Sequence, residues 1–136
     1  MWLREREIET RQVEPVDLLK AEKLPPYRST WMKPTGKLPA DERIHQALLL
    51  YVSDMGLLGA AVNPHEVNFM SKKFQSASLD HVMWFHGKVN FNNWILHHMH
   101  SPISQNARGF SRGSIYTKSG KLVASTAQEG LMRIWD

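Results

Sequence analysis

The chain has 136 residues, about one domain's worth, with 17 Lys and Arg against 13 Asp and Glu for a formal net charge of +4. A hydrophobic share of 42% excludes a disordered chain, and the absence of Cys excludes disulfide scaffolds, Cys-ligated zinc, iron–sulfur clusters and thiol nucleophiles. No apolar run reaches the roughly 18 to 20 residues that span a bilayer, and Met1–Glu7 carries no apolar core of a secretory signal.

In chain order, Arg6 to Val13 alternates charged residues with Ile8, Thr10 and Val13 and reads as an edge strand stopped by Pro15. Val16 to Pro26 is a charged connector. Tyr27 to Lys33 predicts a second strand, ended by Pro34-Thr35-Gly36. A helix follows, with Pro39 in its first turn, Asp41 and Glu42 against its positive end, and Gly56 as its stop. Its predicted apolar face is Ile44, Ala47, Leu48, Tyr51, Val52 and Met55, along a length of roughly 25 Å. After Pro64 the pattern is antiparallel sheet, with strands at Phe74 to Phe85, Trp94 to His100, Arg108 to Thr117 and Leu122 to Trp135. Lys118-Ser119-Gly120-Lys121 predicts a hairpin turn. In the last strand Leu122, Ala124, Thr126, Gln128, Gly130, Met132 and Ile134 share one mostly apolar face, which should pack on the helix. The fold class is therefore α+β, five to six strands around one central helix in a single domain over residues 1–136. One helix covers only one sheet face, so a homo-oligomer is the expectation.

Three polar residues fall where physics disfavours them. Asp54 sits in the last helical turn, where a carboxylate meets the negative end of the dipole. Gln128 sits among apolar neighbours on an inward strand face, where an unpaired amide costs about 1 to 3 kcal/mol. Ser78 lies early in a long strand and presents its hydroxyl on the same side as Ser76 and Asp80. An acid, an amide and a hydroxyl together can hold and deprotonate one water. Taken singly, each has an ordinary structural reading as cap, buried bracket or strand residue, and periodicity alone does not join them.

The segments Tyr51-Val52-Ser53-Asp54, Ser78-Leu79-Asp80-His81-Val82-Met83-Trp84-Phe85-His86, Ala107-Arg108-Gly109-Phe110 and Ala124-Ser125-Thr126-Ala127-Gln128-Glu129-Gly130 resemble the C-terminal half of the type II acyl-CoA thioesterases, the TesB-like family. The resemblance runs in order from about Ile8 to Arg133. It implies a hotdog fold, a long helix wrapped by an antiparallel sheet, and hydrolysis of fatty acyl-CoA to free acid and CoA. It also implies a catalytic group of Asp54, Ser78 and Gln128 that activates a water, with Asp54 as general base and no metal or cofactor. Family members carry two hotdog units and this sequence resembles the second, which implies pairing with another unit. The alternative is a non-catalytic hotdog module that binds acyl-CoA or pairs with a separate partner chain.

Other constellations carry less. Of His97, His98 and His100, only His98 and His100 share a strand face, which argues against a metal site and for surface or interface roles. Asp80 and His81, as strand neighbours, should point to opposite faces; Asp80 is the candidate for a second carboxylate near Ser78, with a structural role preferred. His86 is expected at a strand end. Met83, Trp84, Phe85, Phe91 and Trp94 read as core, some of them lining an acyl tunnel if the thioesterase reading holds. Arg108 and Arg112 share a strand face and are candidates for CoA phosphates, with a solvated face as the competing reading. Cations lie scattered beside acids rather than in a stripe interleaved with aromatics, which argues against a nucleic-acid partner. The terminus Arg133-Ile134-Trp135-Asp136 is no Ser-Lys-Leu-type address, so a cytoplasmic location without a membrane partner is expected.

Overall fold

Seven strands and two helices organise residues 7–135, which the computed structural model describes. Arg6, placed at the start of the first strand from the sequence, lies outside those residues. The strands are β1 (Ile8–Gln12), β2 (Tyr27–Pro34), β3 (Phe74–Ser78), β4 (Val82–Phe85), β5 (Ile95–Gln105), β6 (Arg108–Thr117) and β7 (Leu122–Ile134); α1 (Glu42–Ser53) and α2 (Leu57–Val62) lie between β2 and β3. All pairings are antiparallel, in the order β1-β2-β5-β6-β7-β3, and β4 also pairs with β7. The seven strands exceed the expected five to six because Phe74 to Phe85 is not one strand.

That break shapes the site. Ser78 pairs with Gly130 and Val82 with Ala127, so the three residues Leu79, Asp80 and His81 stand against only Gln128 and Glu129. One extra residue acts as a bulge and reverses the inside–outside alternation of everything after it. Asp80 caps the step: its Oδ1 accepts from the Glu129 N–H at 2.6 Å, a structural role that removes it as a second carboxylate beside Ser78. The reversal turns Met83 inward against the core and Trp84 outward. Phe85, in register with the buried Ala124, lies on the inner face yet is 38% exposed, so neither aromatic is in the core where the sequence placed both.

The main core joins Ile8, Met32, Leu49, Val52, Val89, Phe91, Ile95, Ile115, Val123 and Ala124 between α1 and the curled sheet. Asp41 is the α1 N-cap, accepting from the Arg43 N–H at 3.0 Å; Pro39 lies before the helix rather than in its first turn. The buried stripe of α1 is His45, Leu49, Val52 and Ser53, rotated from the predicted face. His45 is core because both ring nitrogens are satisfied, Nε2 by the Pro39 carbonyl and Nδ1 by the Phe91 N–H, which removes the penalty for burying it. Ile44, Tyr51 and Met55 consequently face outward, 41%, 67% and 46% exposed.

Gly56 adopts φ 79°, a left-handed conformation that only glycine enters cheaply, and it turns the chain from the end of α1 into α2. A second helix thus follows the predicted stop. α2 presses on the sheet where Gly109 and Gly130 pair across β6 and β7; a Cβ at either would run into Leu58 or Ala61. By length and composition the 21 residues Glu42–Val62 could cross a membrane, yet half of their apolar window is buried inside the fold, as in a core helix.

Candidate active site

Asp54 is the C-cap residue of α1, Ser78 ends β3, and Gln128 lies at the middle of β7 opposite the bulge. The fold brings all three together. The Ser78 hydroxyl donates to Asp54 Oδ1 at 2.8 Å, and the Gln128 amide Nε2 donates to Ser78 Oγ at 3.2 Å. Gln128 is 2% exposed, whereas Asp54 and Ser78 are open to solvent, so the group is anchored in the core and ends at the surface. The strand parity that put Gln128 on the inward face of β7 holds, as does the solvent-side position of a late-helix acid.

Two residues that sequence reasoning did not assign to the site complete it. His81 Nδ1 lies 2.8 Å from Gln128 Oε1, and its Nε2 lies 2.7 Å from Ser53 Oγ on the last turn of α1. The signal was present in the motif around Ser78, but a continuous strand would have aimed His81 away from Gln128; the bulge turns it inward. Ser53 is fully buried and its Oγ also lies 2.7 Å from the Leu50 carbonyl.

Arg108 and Arg112 are not brought to this group. Their register partners on β7 are Leu131 and Ala127, on the sheet face opposite Gln128, and Arg108 pairs there with Glu129 at 3.3 Å. The three histidines of β5 also part company. His97 is buried with Nε2 3.2 Å from Thr126 Oγ1, His98 Nδ1 lies 2.8 Å from Ser29 Oγ, and His100 is exposed. Among the described residues, no group of three or more His, Asp or Glu is placed to hold one metal ion. His86 follows β4, its Nε2 2.8 Å from Ser125 Oγ. A groove of about 670 Å³, within the size range of small-molecule pockets, runs along the residues flanking Asp54, with Tyr51, Met55 and Gly56 on one side and Thr10, Arg28 and Met32 on the other.

A family model described as acyl-CoA thioesterase matches residues 3–131. The chain belongs to the acyl-CoA thioesterase family. Acyl-CoA thioesterase 2 of Haemophilus influenzae is 40% identical over 111 residues, 82% of this chain and 39% of that protein. Acyl-coenzyme A thioesterase 8 of Mus musculus is 35% identical over 132 residues, 93% of this chain and 39% of that one. Among solved structures, the acyl-CoA thioesterase II TesB2 from Mycobacterium marinum superposes with a TM-score of 0.79 at 33% identity, covering 94% of this chain and 49% of that chain. A putative thioesterase from Syntrophus aciditrophicus shares the fold alone, with a TM-score of 0.71 at 9% identity over 92% of this chain and 84% of that one. The hotdog fold expected of this acyl-CoA thioesterase family member is the one observed, and the chain spans about two fifths of the length of the curated relatives it matches.

Proposed function

We propose that the chain supplies the hydrolytic centre for fatty acyl-CoA thioesters, with Asp54 as general base and Ser78 and Gln128 holding the attacking water. The observation that carries this reading is the contact of an acid, a hydroxyl and an amide at 2.8 and 3.2 Å, drawn from three separate elements of a family member. Ser78 spends its single proton on Asp54 and accepts one from Gln128, which leaves one oxygen lone pair and one amide hydrogen to hold a water. A carboxylate oxygen of Asp54 takes the water proton as its oxygen bonds to the thioester carbonyl carbon. Collapse of the tetrahedral adduct breaks the C–S bond, and the CoA sulfur leaves with the proton that Asp54 received. General-base assistance of this kind contributes about 10² to 10⁴ in rate. No step calls for a metal or cofactor.

Release of free thiol from medium- and long-chain acyl-CoA tests the reading. The unmodified chain is expected to hydrolyse them and Asp54→Asn to lose turnover while melting at the same temperature. Undiminished turnover in Asp54→Asn overturns the mechanism.

We also propose that the chain works beside a second hotdog unit, as a homo-oligomer or with a separate partner chain. Its outward stripe of Ile44, Tyr51 and Met55 and the exposed Val82, Trp84 and Phe85 of β4, an edge strand, support this. Sedimentation in the assay buffer distinguishes the arrangements. A monomer without thiol release supports the pairing module, and an active oligomer supports the enzyme.

A further inference from the structure

We propose that His81 is a positioning residue, whose Nδ1–H donates to Gln128 Oε1 and thereby fixes the amide with its N–H side toward Ser78 and the water. The inference rests on the hydrolytic reading of Asp54, Ser78 and Gln128. A glutamine amide at the end of a flexible side chain can present either its oxygen or its nitrogen, and only the nitrogen face suits the site, so something must choose between them.

Proton accounting makes the choice. Asp54, as a carboxylate, only accepts, so the hydroxyl proton of Ser78, 2.8 Å away, must go to it. Ser78 Oγ can then only accept from Gln128 at 3.2 Å, which puts the amide nitrogen on that side and the carbonyl oxygen on the other. That oxygen lies 2.8 Å from His81 Nδ1, which must therefore carry a proton. The free imidazole ring has two tautomers, and the hydrogen bond at the second nitrogen selects between them. Here that nitrogen, Nε2, lies 2.7 Å from Ser53 Oγ, which has one proton for two neighbours, Nε2 and the Leu50 carbonyl, also at 2.7 Å. A neutral ring with its proton on Nδ1 requires the hydroxyl to turn from the carbonyl to Nε2. With a neutral ring the protons then run in one direction, from Ser53 to His81 to Gln128 to Ser78 to Asp54. Each donor in such a series polarises the next. His81 touches none of the reacting atoms; it acts through Gln128.

The first test needs no turnover. Two-bond ¹⁵N–¹H correlation spectra of the full chain labelled at histidine nitrogens report which ring nitrogen is protonated, with His81 assigned by the signals lost in His81→Phe. A proton on Nδ1 is expected; a bare Nδ1 with the proton on Nε2 alone overturns the proposal. The second test is kinetic. His81→Phe, which keeps a ring but offers no donor, is expected to lower kcat by about 10- to 100-fold with little change in KM. His81→Asn, whose amide offers an N–H near the former Nδ1, is expected to recover most of that loss. Unchanged kcat in His81→Phe overturns the proposal, as does an equal loss in the Phe and Asn variants at matched melting temperatures. If Asp54→Asn loses turnover while His81→Phe keeps it, the positioning role alone fails. If Asp54→Asn keeps turnover while His81 Nδ1 is protonated, the hydrolytic reading fails and the hydrogen bond stands.

Discussion

His97 and His81 enter the same inner sheet face, one from β5 and one from the bulge between β3 and β4, and they meet β7 two residues apart at Thr126 and Gln128. Their surroundings differ in one respect. His97 is wholly enclosed, makes one hydrogen bond of 3.2 Å to Thr126, and its Nδ1 has no partner among the described residues. Burial, reinforced by the nearby His81 and His98, pushes its pKa down to about 3. His81 is bracketed at both nitrogens, at 2.7 and 2.8 Å, and stands beside a group that opens on solvent. The first is a packing element that burial keeps neutral, with one nitrogen unused. The second has both nitrogens committed and so can set the direction of its neighbours' hydrogen bonds. Residue type says nothing of this difference; satisfied valence and access to solvent do.

The comparison can be broken in several ways. Gln128→Leu is expected to have the largest effect, cutting thiol release by about 10² to 10⁴ by removing the link between His81 and Ser78. Retention of most activity would make the cluster as structural as the His97 site. Acid should act on the other site. Above pH 6.5 neither the folded nor the unfolded state binds a proton at His97; below it the unfolded chain does and the folded chain does not, so stability is lost as pH falls from 6.5 toward about 3. At pH 4.5 the loss from this group is expected to be about 2 to 3 kcal/mol. Urea midpoints at pH 7 and pH 4.5 should therefore differ less in His97→Gln than in the parent, and an equal difference would deny His97 its part. Gly113→Ala would drive a Cβ into the His97 ring and the Thr126 hydroxyl. It should cost about 1 to 3 kcal/mol of stability by denaturant melt, with thiol release per folded molecule unchanged. Smallest of all, Arg108→Ala removes a half-exposed ion pair to Glu129 on the opposite sheet face, worth at most about 1 kcal/mol. KM for acyl-CoA is expected to stay the same; a rise would return a phosphate contact to that arginine.

Much of this was legible in the chain. The alternation in β7 put Gln128 inside, and the resemblance drew Asp54 and Ser78 to it from elements that periodicity could not connect. The bulge at Leu79–His81 was not legible, because a single added residue leaves no mark on a short alternating run and yet inverts all that follows. It hid His81 from the site and turned Trp84 outward rather than into the core, while Phe85, on the inner face of an edge strand, stays partly exposed. The face of α1 was misjudged for a related reason. His45 and Ser53 read as polar, and the partners that make them interior residues (Pro39, Phe91 and His81) are supplied by other parts of the chain. Ile44 and Tyr51 read as interior and face outward instead. The Asn106-Ala107 turn between β5 and β6, with both residues at positive φ, likewise lacks the glycine that usually announces such a hairpin.

The unbroken run of contacts from Ser53 through His81, Gln128 and Ser78 to Asp54 has a consequence for how damage accumulates. Members of a linked series do not fail independently. Once one link is cut, those upstream have nothing left to orient, so a second lesion should be nearly silent. Pairs of substitutions here should therefore look epistatic, with the double variant scarcely worse than the poorer single. The same two changes placed on opposite sides of the sheet should simply compound.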